Sequence, residues 1–296
     1  MYNFFAKNRP SIVISLILCV GICLPAYCSS QNKSAPAEKT DASGEVHVDA
    51  PHQIEFLEKE NMCIARGNEN SPARARKGNV TVSASELRVY FDQSPDGKRA
   101  LRTIEANGRA ALFGPFGNVT SEKLVYTAKK EELVACGGAI SLKTPEYSVT
   151  ANNFIKYSNS ELKGTADGNA ILRHGDKTIS SNVITVFFEK TANKTSNKTE
   201  PNGGQLAVKR AIANGNVSMS NGVQNAVGDS AIYESSNKNL SLKGKVRISE
   251  GGSSGIGHIG KINLENGKSS LCGNKKQRVK VIVTPKSLQK RPLQKK

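Results

Sequence analysis

The sequence predicts an all-β protein, with about twelve or more antiparallel strands in one continuous body. Three observations predict it. Small or apolar residues recur at alternate positions around a central glycine along most of the chain. Val, Ile, Thr and Tyr fill these segments, and Asn-Gly, Asp-Gly and Gly-Asp pairs punctuate them, which is strand-and-turn chemistry. After residue 30 no comparable pattern at helical spacing follows. Apolar residues two apart mean an extended chain with one buried face, because successive side chains of a strand point to opposite sides.

The first segment is an address. Lys7 and Arg9 precede an apolar run over residues 12–24, which leads into Pro25-Ala26-Tyr27-Cys28. That is the layout of a secretory signal peptide, read here as residues 1–28 with cleavage near Cys28. A helix retained in the bilayer needs about 20 apolar residues, more than this run supplies. Export leaves Cys63, Cys136 and Cys272, too few for a disulfide framework and without the CxxC or histidine spacing of a zinc site. Residues 29–45, rich in Ser, Ala and Lys, read as a flexible linker.

The body is repetitive. Ala106-x-Gly108-x-Ala110-x-Leu112 is followed by Cys136-x-Gly138-x-Ile140-x-Leu142 and Ala166-x-Gly168-x-Ala170-x-Leu172, with glycines 30 residues apart. Gly78-x-Val80-x-Val82 lies 30 residues upstream, and Ala213-x-Gly215-x-Val217-x-Met219 and Leu242-x-Gly244-x-Val246-x-Ile248 extend the series. Six copies at so regular a spacing mark an internal repeat. The one long step, from Gly168 to Gly215, holds a polar loop insertion over residues 190–204. A second element alternates with the first, at residues 84–90, 121–126, 151–157, 181–187 and 228–233. Each unit is then about two strands, and a glycine at the same place in each copy predicts a bend or a close backbone approach there.

Composition removes several function classes. The net charge of +17 resembles a nucleic-acid signature until it is located: residues 266–296 hold eight Lys, two Arg and no acid, and Lys7 with Arg9 adds two. Only +5 remains for residues 10–265, with 5% aromatics and no Trp, so the body offers neither a basic stripe nor a stacking platform and no nucleic acid is expected. Residues 266–296 read as a basic, disordered tail. His47, His52, His174 and His258 sit in no catalytic or metal-binding motif, and the glycine-rich run at residues 251–257 lacks the lysine and helix of a phosphate loop. Carboxylates are scattered singly apart from Glu131-Glu132. No catalytic residue, metal or cofactor is expected. A secreted, repetitive β body without a reactive cluster points to binding or scaffolding.

The units Ile104-Glu105-Ala106-Asn107-Gly108-Arg109-Ala110, Ala166-Asp167-Gly168-Asn169-Ala170 and Ile212-Ala213-Asn214-Gly215-Asn216-Val217, alternating with Ala84-Ser85-Glu86-Leu87-Arg88-Val89-Tyr90 and Gly228-Asp229-Ser230-Ala231-Ile232-Tyr233, resemble the OstA-like family over about residues 46–265. The resemblance implies an elongated, twisted antiparallel β-jelly roll, open along one side, with about 12–16 strands. It also implies a non-enzymatic periplasmic carrier whose apolar lining shelters the acyl chains of lipopolysaccharide between inner and outer membrane. Implied partners are lipopolysaccharide, further copies in a head-to-tail homo-oligomer, and inner-membrane LptC-type and outer-membrane LptD-type OstA-like domains. The candidate lining is Ala106, Ala110, Leu112, Leu124, Ile140, Leu142, Phe154, Tyr157, Ala170, Leu172, Ile184, Val217, Met219, Tyr233, Val246 and Ile248, with small residues leaving room for a guest. Free strand edges for end-to-end contact are expected near residues 46–56 and 257–264. The alternatives are a β-solenoid structural or adhesive surface protein and a membrane-tethered LptC-like relative in the same pathway.

Overall fold

The computed structural model describes residues 46–93, 99–114, 117–145, 147–191, 205–265, 268–276 and 278–284. The signal-peptide and linker assignments, and most of the 190–204 insertion, fall outside them. The chain runs through β1 (His47–Asp49), β2 (Gln53–Leu57), a 3-10 turn at Glu58–Glu60, β3 (Met62–Arg66), β4 (Ala73–Lys77), β5 (Val80–Ala84), β6 (Glu86–Gln93), β7 (Arg99–Gly114) and β8 (Gly117–Thr127). It continues with β9 (Glu132–Cys136), β10 (Ile140–Lys143), β11 (Tyr147–Ala151), β12 (Phe154–Ser158), β13 (Lys163–His174), β14 (Lys177–Thr191), β15 (Gln205–Ser220), β16 (Gln224–Glu234), β17 (Asn239–Glu250), β18 (Ser253–Asn263), β19 (Ser269–Cys272) and β20 (Lys280–Ile282).

Every pairing among these strands is antiparallel. That removes the parallel-coil solenoid. The pairings trace two ladders. The first runs β2-β3-β6-β7-β8-β9-β12-β13-β14-β15-β16-β17-β18-β19. The second runs β1-β4-β5-β7-β8-β10-β11-β13-β14-β15-β16-β17-β18-β20. The long strands belong to both ladders, one half in each, so two sheets share a folded spine. This is the twisted β-jelly roll expected from the sequence. Either sheet counts fourteen strands, and the total reaches twenty because the shorter copies break into two segments at the spine. At about 4.8 Å per strand the roll is about 60 Å long.

The spine is made by the repeated glycines. The register slips between Asn107 and Ala110 on β7, Asp167 and Ala170 on β13, Asn214 and Val217 on β15, and Lys243 and Val246 on β17. At each slip a glycine with positive φ precedes a second left-handed residue: Gly108-Arg109, Gly168-Asn169, Gly215-Asn216 and Gly244-Lys245. This inserts one extra residue on one strand of the pair, a bulge that bends the strand from one sheet into the other. The preceding strand crosses the bend at close range, with Ser85 N donating to Gly108 O at 2.9 Å and Asn152 N to Gly168 O at 2.7 Å. A Cβ on Gly168 would lie 2.7 Å from the backbone nitrogen of Asn153.

Three expectations change. Gly78 sits in the β4–β5 turn, not at a bend. In that copy Gly67 holds the bend position, where Gly67 N donates to Ser85 O at 2.8 Å, and residues 68–72 are inserted there. The chain after residue 265 adds β19 and β20 to the sheets, where a tail was expected from residue 266. Consequently the edge expected free at residues 257–264 is occupied: Ile259–Ile262 pairs with β19 and Ser254–Ile256 with β20. At the other end β1 and β2 are the outermost strands, as expected for residues 46–56.

Candidate functional site

The inward faces of the two sheets form uncharged rows running the length of the roll. In the first sheet the register aligns Ala65, Leu87, Ala106, Leu124, Ala135, Ile155, Ala166, Ile184, Ala213, Ala231, Leu242, Gly260 and Leu271. In the second it aligns Val48, Ala75, Val82, Leu112, Val119, Leu142, Val149, Leu172, Ile179, Met219, Ala226, Ile248, Gly255 and Val281. Thirteen and fourteen consecutive positions without a charge are the outcome of the alternation read from the sequence, carried across every strand pair.

Fifteen of the sixteen candidate residues lie in, or pack against, the two core clusters that these rows create. Ala106, Ala110, Leu124 and Ile140 belong to the amino-terminal cluster, with Leu112 packed on it. Tyr157, Ala170, Leu172, Ile184, Val217, Tyr233, Val246 and Ile248 belong to the carboxy-terminal one, with Met219 packed on it. Leu142 and Ile155 touch both clusters, so the apolar interior is continuous. Phe154 is the exception. Between the inward residues Ser181 and Ile184, or Ala84 and Leu87, the step is three, and choosing Phe154 assumes the same step from Ala151. The break at Asn152–Asn153 lengthens it to four, so Ile155 faces inward beside Ala135 and Ala166, and Phe154 faces out.

Most of the candidate positions are closed to water. The twelve candidates that count as buried are 6% exposed or less, and Ala106, Ala170 and Val246 have no exposure at all. From Ala65 to Ala213 the first row alternates Ala with Leu or Ile, so each small side chain stands between larger ones on the neighbouring strands. At the carboxy-terminal end Leu271 sits over Gly255, and a Cβ on Gly260 would come within 2.9 Å of Val246 across the core. Partly exposed positions away from the ends are Leu112, Leu142, Ile179 and Met219 in the second row and Ile155 in the first, with Leu133 and Ala211 also partly exposed.

The interior carries little polarity. Among the described residues the buried polar side chains are Ser83, Ser121, Ser158 and Ser181. Ser121 and Ser181 lie at equivalent bends and donate to the carbonyls of Lys123 and Val183 at 2.9 and 2.8 Å. Each serine is satisfied within its own strand, so the core presents no unmet donor at these points. Burial raises the Tyr233 hydroxyl above its ordinary value, and burial followed by Glu131 raises that of Tyr126. Both phenols therefore stay neutral at physiological pH. Among the described residues no group of three or more His, Cys, Asp and Glu side chains is placed to hold a metal. Chemically the arrangement can exclude water from an apolar chain.

Several inward residues were not chosen from the sequence, although their motifs were visible: Leu87, Ala166, Ala213 and Leu242 stand in the repeat units and line the same rows. Stepping each motif one strand pair further along the ladder finds them.

Residues 148–268 match the family described as LptA/(LptD N-terminal domain) LPS transport protein. The matched stretch covers β11 to β18 and the carboxy-terminal core cluster. An uncharacterised protein of Rhizobium meliloti strain 1021 is 27% identical over 136 residues, which make up 45% of this chain and 68% of that protein. Among solved structures, the chain is similar to LptH of Pseudomonas aeruginosa, described as the LptA-homologous periplasmic component of the conserved lipopolysaccharide transport device. The TM-score is 0.37 and the identity 11%, with 47% of this chain and 95% of that one covered.

Proposed function

We propose that the chain, which carries an OstA-like lipopolysaccharide-transport domain over residues 148–268, is a periplasmic bridge that shields the acyl chains of lipopolysaccharide between its two sheets on the way from inner to outer membrane. The observation that carries the reading is the pair of uncharged rows, thirteen positions from β3 to β19 in the first sheet and fourteen from β1 to β20 in the second. An acyl chain of about a dozen methylenes gains about 10 kcal/mol on leaving water, at about 0.8 kcal/mol per methylene. A lipid with several such chains therefore needs continuous cover, and a row interrupted by one lysine would supply none.

Because most row positions are buried, the guest enters by parting the sheets. The spine bulges are the place for this: each interrupts its ladder and concentrates the change in backbone angle at two left-handed residues. The sheets swing apart from the side of Leu112, Leu142 and Met219, and lipid contacts replace side-chain contacts of equal polarity. In this reading residues 1–28 direct export and are removed near Cys28. Copies meet through β1 and β2 at one end and β19 and β20 at the other, where OstA-like domains of LptC and LptD type also dock. Motion along the track is supplied by those partners.

Photocrosslinking tests it. A benzophenone side chain at Leu112, Leu142 or Leu172 in living cells is expected to give lipopolysaccharide adducts. The outward neighbours Ala111, Ser141 and Arg173 are expected to give none. Equal labelling on both faces sinks the proposal.

A further inference from the structure

The carboxy-terminal edge of the roll carries a second surface, of a different character from the interior. Val279, Val281, Ile282 and Val283 are 40%, 58%, 64% and 53% exposed, four of the ten large apolar side chains that are exposed among the described residues, and they fall within five positions. Lys275, Lys276, Arg278 and Lys280 are exposed around them. From residue 266 to residue 296 the sequence holds no Asp or Glu. The segment is held in place: β20 pairs with Ser254–Ile256, Thr284 N donates to Ser253 Oγ at 3.0 Å, and Thr284 Oγ1 donates to Gly252 O at 3.0 Å.

An exposed apolar strand invites aggregation unless something covers it. Four basic groups around four apolar side chains match one environment closely, the boundary of an anionic bilayer. There the aliphatic groups sink below the headgroups while lysine and arginine stay among the phosphates. A protein partner would need an acidic face to meet these cations.

We propose that the edge formed by β20 and its flanks, residues 275–276 and 278–284, docks the roll onto a membrane surface rich in anionic headgroups. Because Val281 also ends the inward row of the second sheet, this contact sets the apolar interior against the bilayer. In a copy whose β19–β20 end meets no further copy or domain, the roll then stands with that end down, and the two surfaces serve one path. The docking itself does not depend on what the interior carries.

The test uses the chain as processed by a Gram-negative host expressing the full sequence, mixed with sedimenting vesicles. Binding is expected to phosphatidylcholine vesicles containing about 30% phosphatidylglycerol and not to pure phosphatidylcholine, and to weaken steeply with salt. Each removed charge should weaken it about fivefold, so Lys276→Gln with Lys280→Gln lowers partitioning more than tenfold. Val281→Ser with Ile282→Ser should also lower it while leaving the salt dependence intact. Both pairs lie at an exposed edge, and an unchanged circular dichroism spectrum confirms the fold. Three results overturn the proposal: equal binding to neutral vesicles, binding only when the vesicles contain lipopolysaccharide, and variants that change self-association but not partitioning. Failure here leaves the crosslinking result at Leu112 and Leu142 untouched.

Discussion

Replacing Gly168 by alanine tests whether the spine is a crossing point or merely a turn. Two glycines close in sequence separate the effects: Gly168 has φ +89 and a Cβ there would stand 2.7 Å from the Asn153 nitrogen, whereas Gly175 has φ +58 and nothing within 4 Å of the same position. In Gly175→Ala only the left-handed backbone matters, costing about 1–2 kcal/mol and partly offset by about 0.4–1 kcal/mol from a stiffer unfolded chain. Gly168→Ala adds a backbone clash that no side-chain rotation relieves, worth about a further 1–3 kcal/mol. Urea unfolding followed by circular dichroism should therefore place Gly175→Ala within about 1 kcal/mol of the parent and Gly168→Ala about 2–4 kcal/mol below it. Gly215 gives an internal control, because its close neighbours are side-chain atoms of Asn182 alone. Asn182→Ala should recover part of the loss in Gly215→Ala, and Asn153→Ala should recover less in Gly168→Ala, since the obstructing nitrogen remains. Equal losses at Gly168 and Gly175 would refute the close crossing.

Other outcomes follow from the same geometry. Leu242→Ala, at a fully buried position, should cost about 3 kcal/mol in urea unfolding, and Leu112→Ala, half-buried, about half that. Burial raises the pKa of the Cys63 thiol from its ordinary 9.0 and those of the Tyr126 and Tyr233 phenols from 10.0. The unfolded chain loses these protons first as pH rises, so their stabilising contribution is complete below about pH 9 and is lost through the alkaline range. The melting temperature should be flat from pH 7 to about 8.5 and fall above that, less steeply in Tyr233→Phe. Ending the chain after Glu265 removes Leu271 from over Gly255 and Gly257 and leaves β18 without β19 and β20, and urea unfolding should show a loss of about 2 kcal/mol.

Much of this fold is legible in the residues themselves. The alternation of Ala106, Gly108, Ala110 and Leu112 gives the strand, its buried face and the place of its bend, because strand periodicity and left-handed glycines are local properties. What escapes is whatever depends on residue counts at the bend. One extra residue at Asn152–Asn153 turns Phe154 outward, and the five-residue insertion at residues 68–72 displaces the first copy so that Gly78 only mimics the motif. How Ala in one strand meets Leu in the next is a pairing property, invisible along a single strand. The strands β19 and β20 hide in a basic stretch whose composition resembles disorder, since Ser269–Cys272 and Lys280–Ile282 are too short to show periodicity.

Each long hairpin touches only the hairpins before and after it, as the ladder order requires. Length is thus uncoupled from cross-section: duplicating one two-strand unit would add about 9.5 Å of span without altering the geometry on either side. A chain built this way can be fitted to a gap of any width by changing the number of its units, and a polar insertion between two paired strands, such as the one that separates β14 from β15, leaves the spine undisturbed.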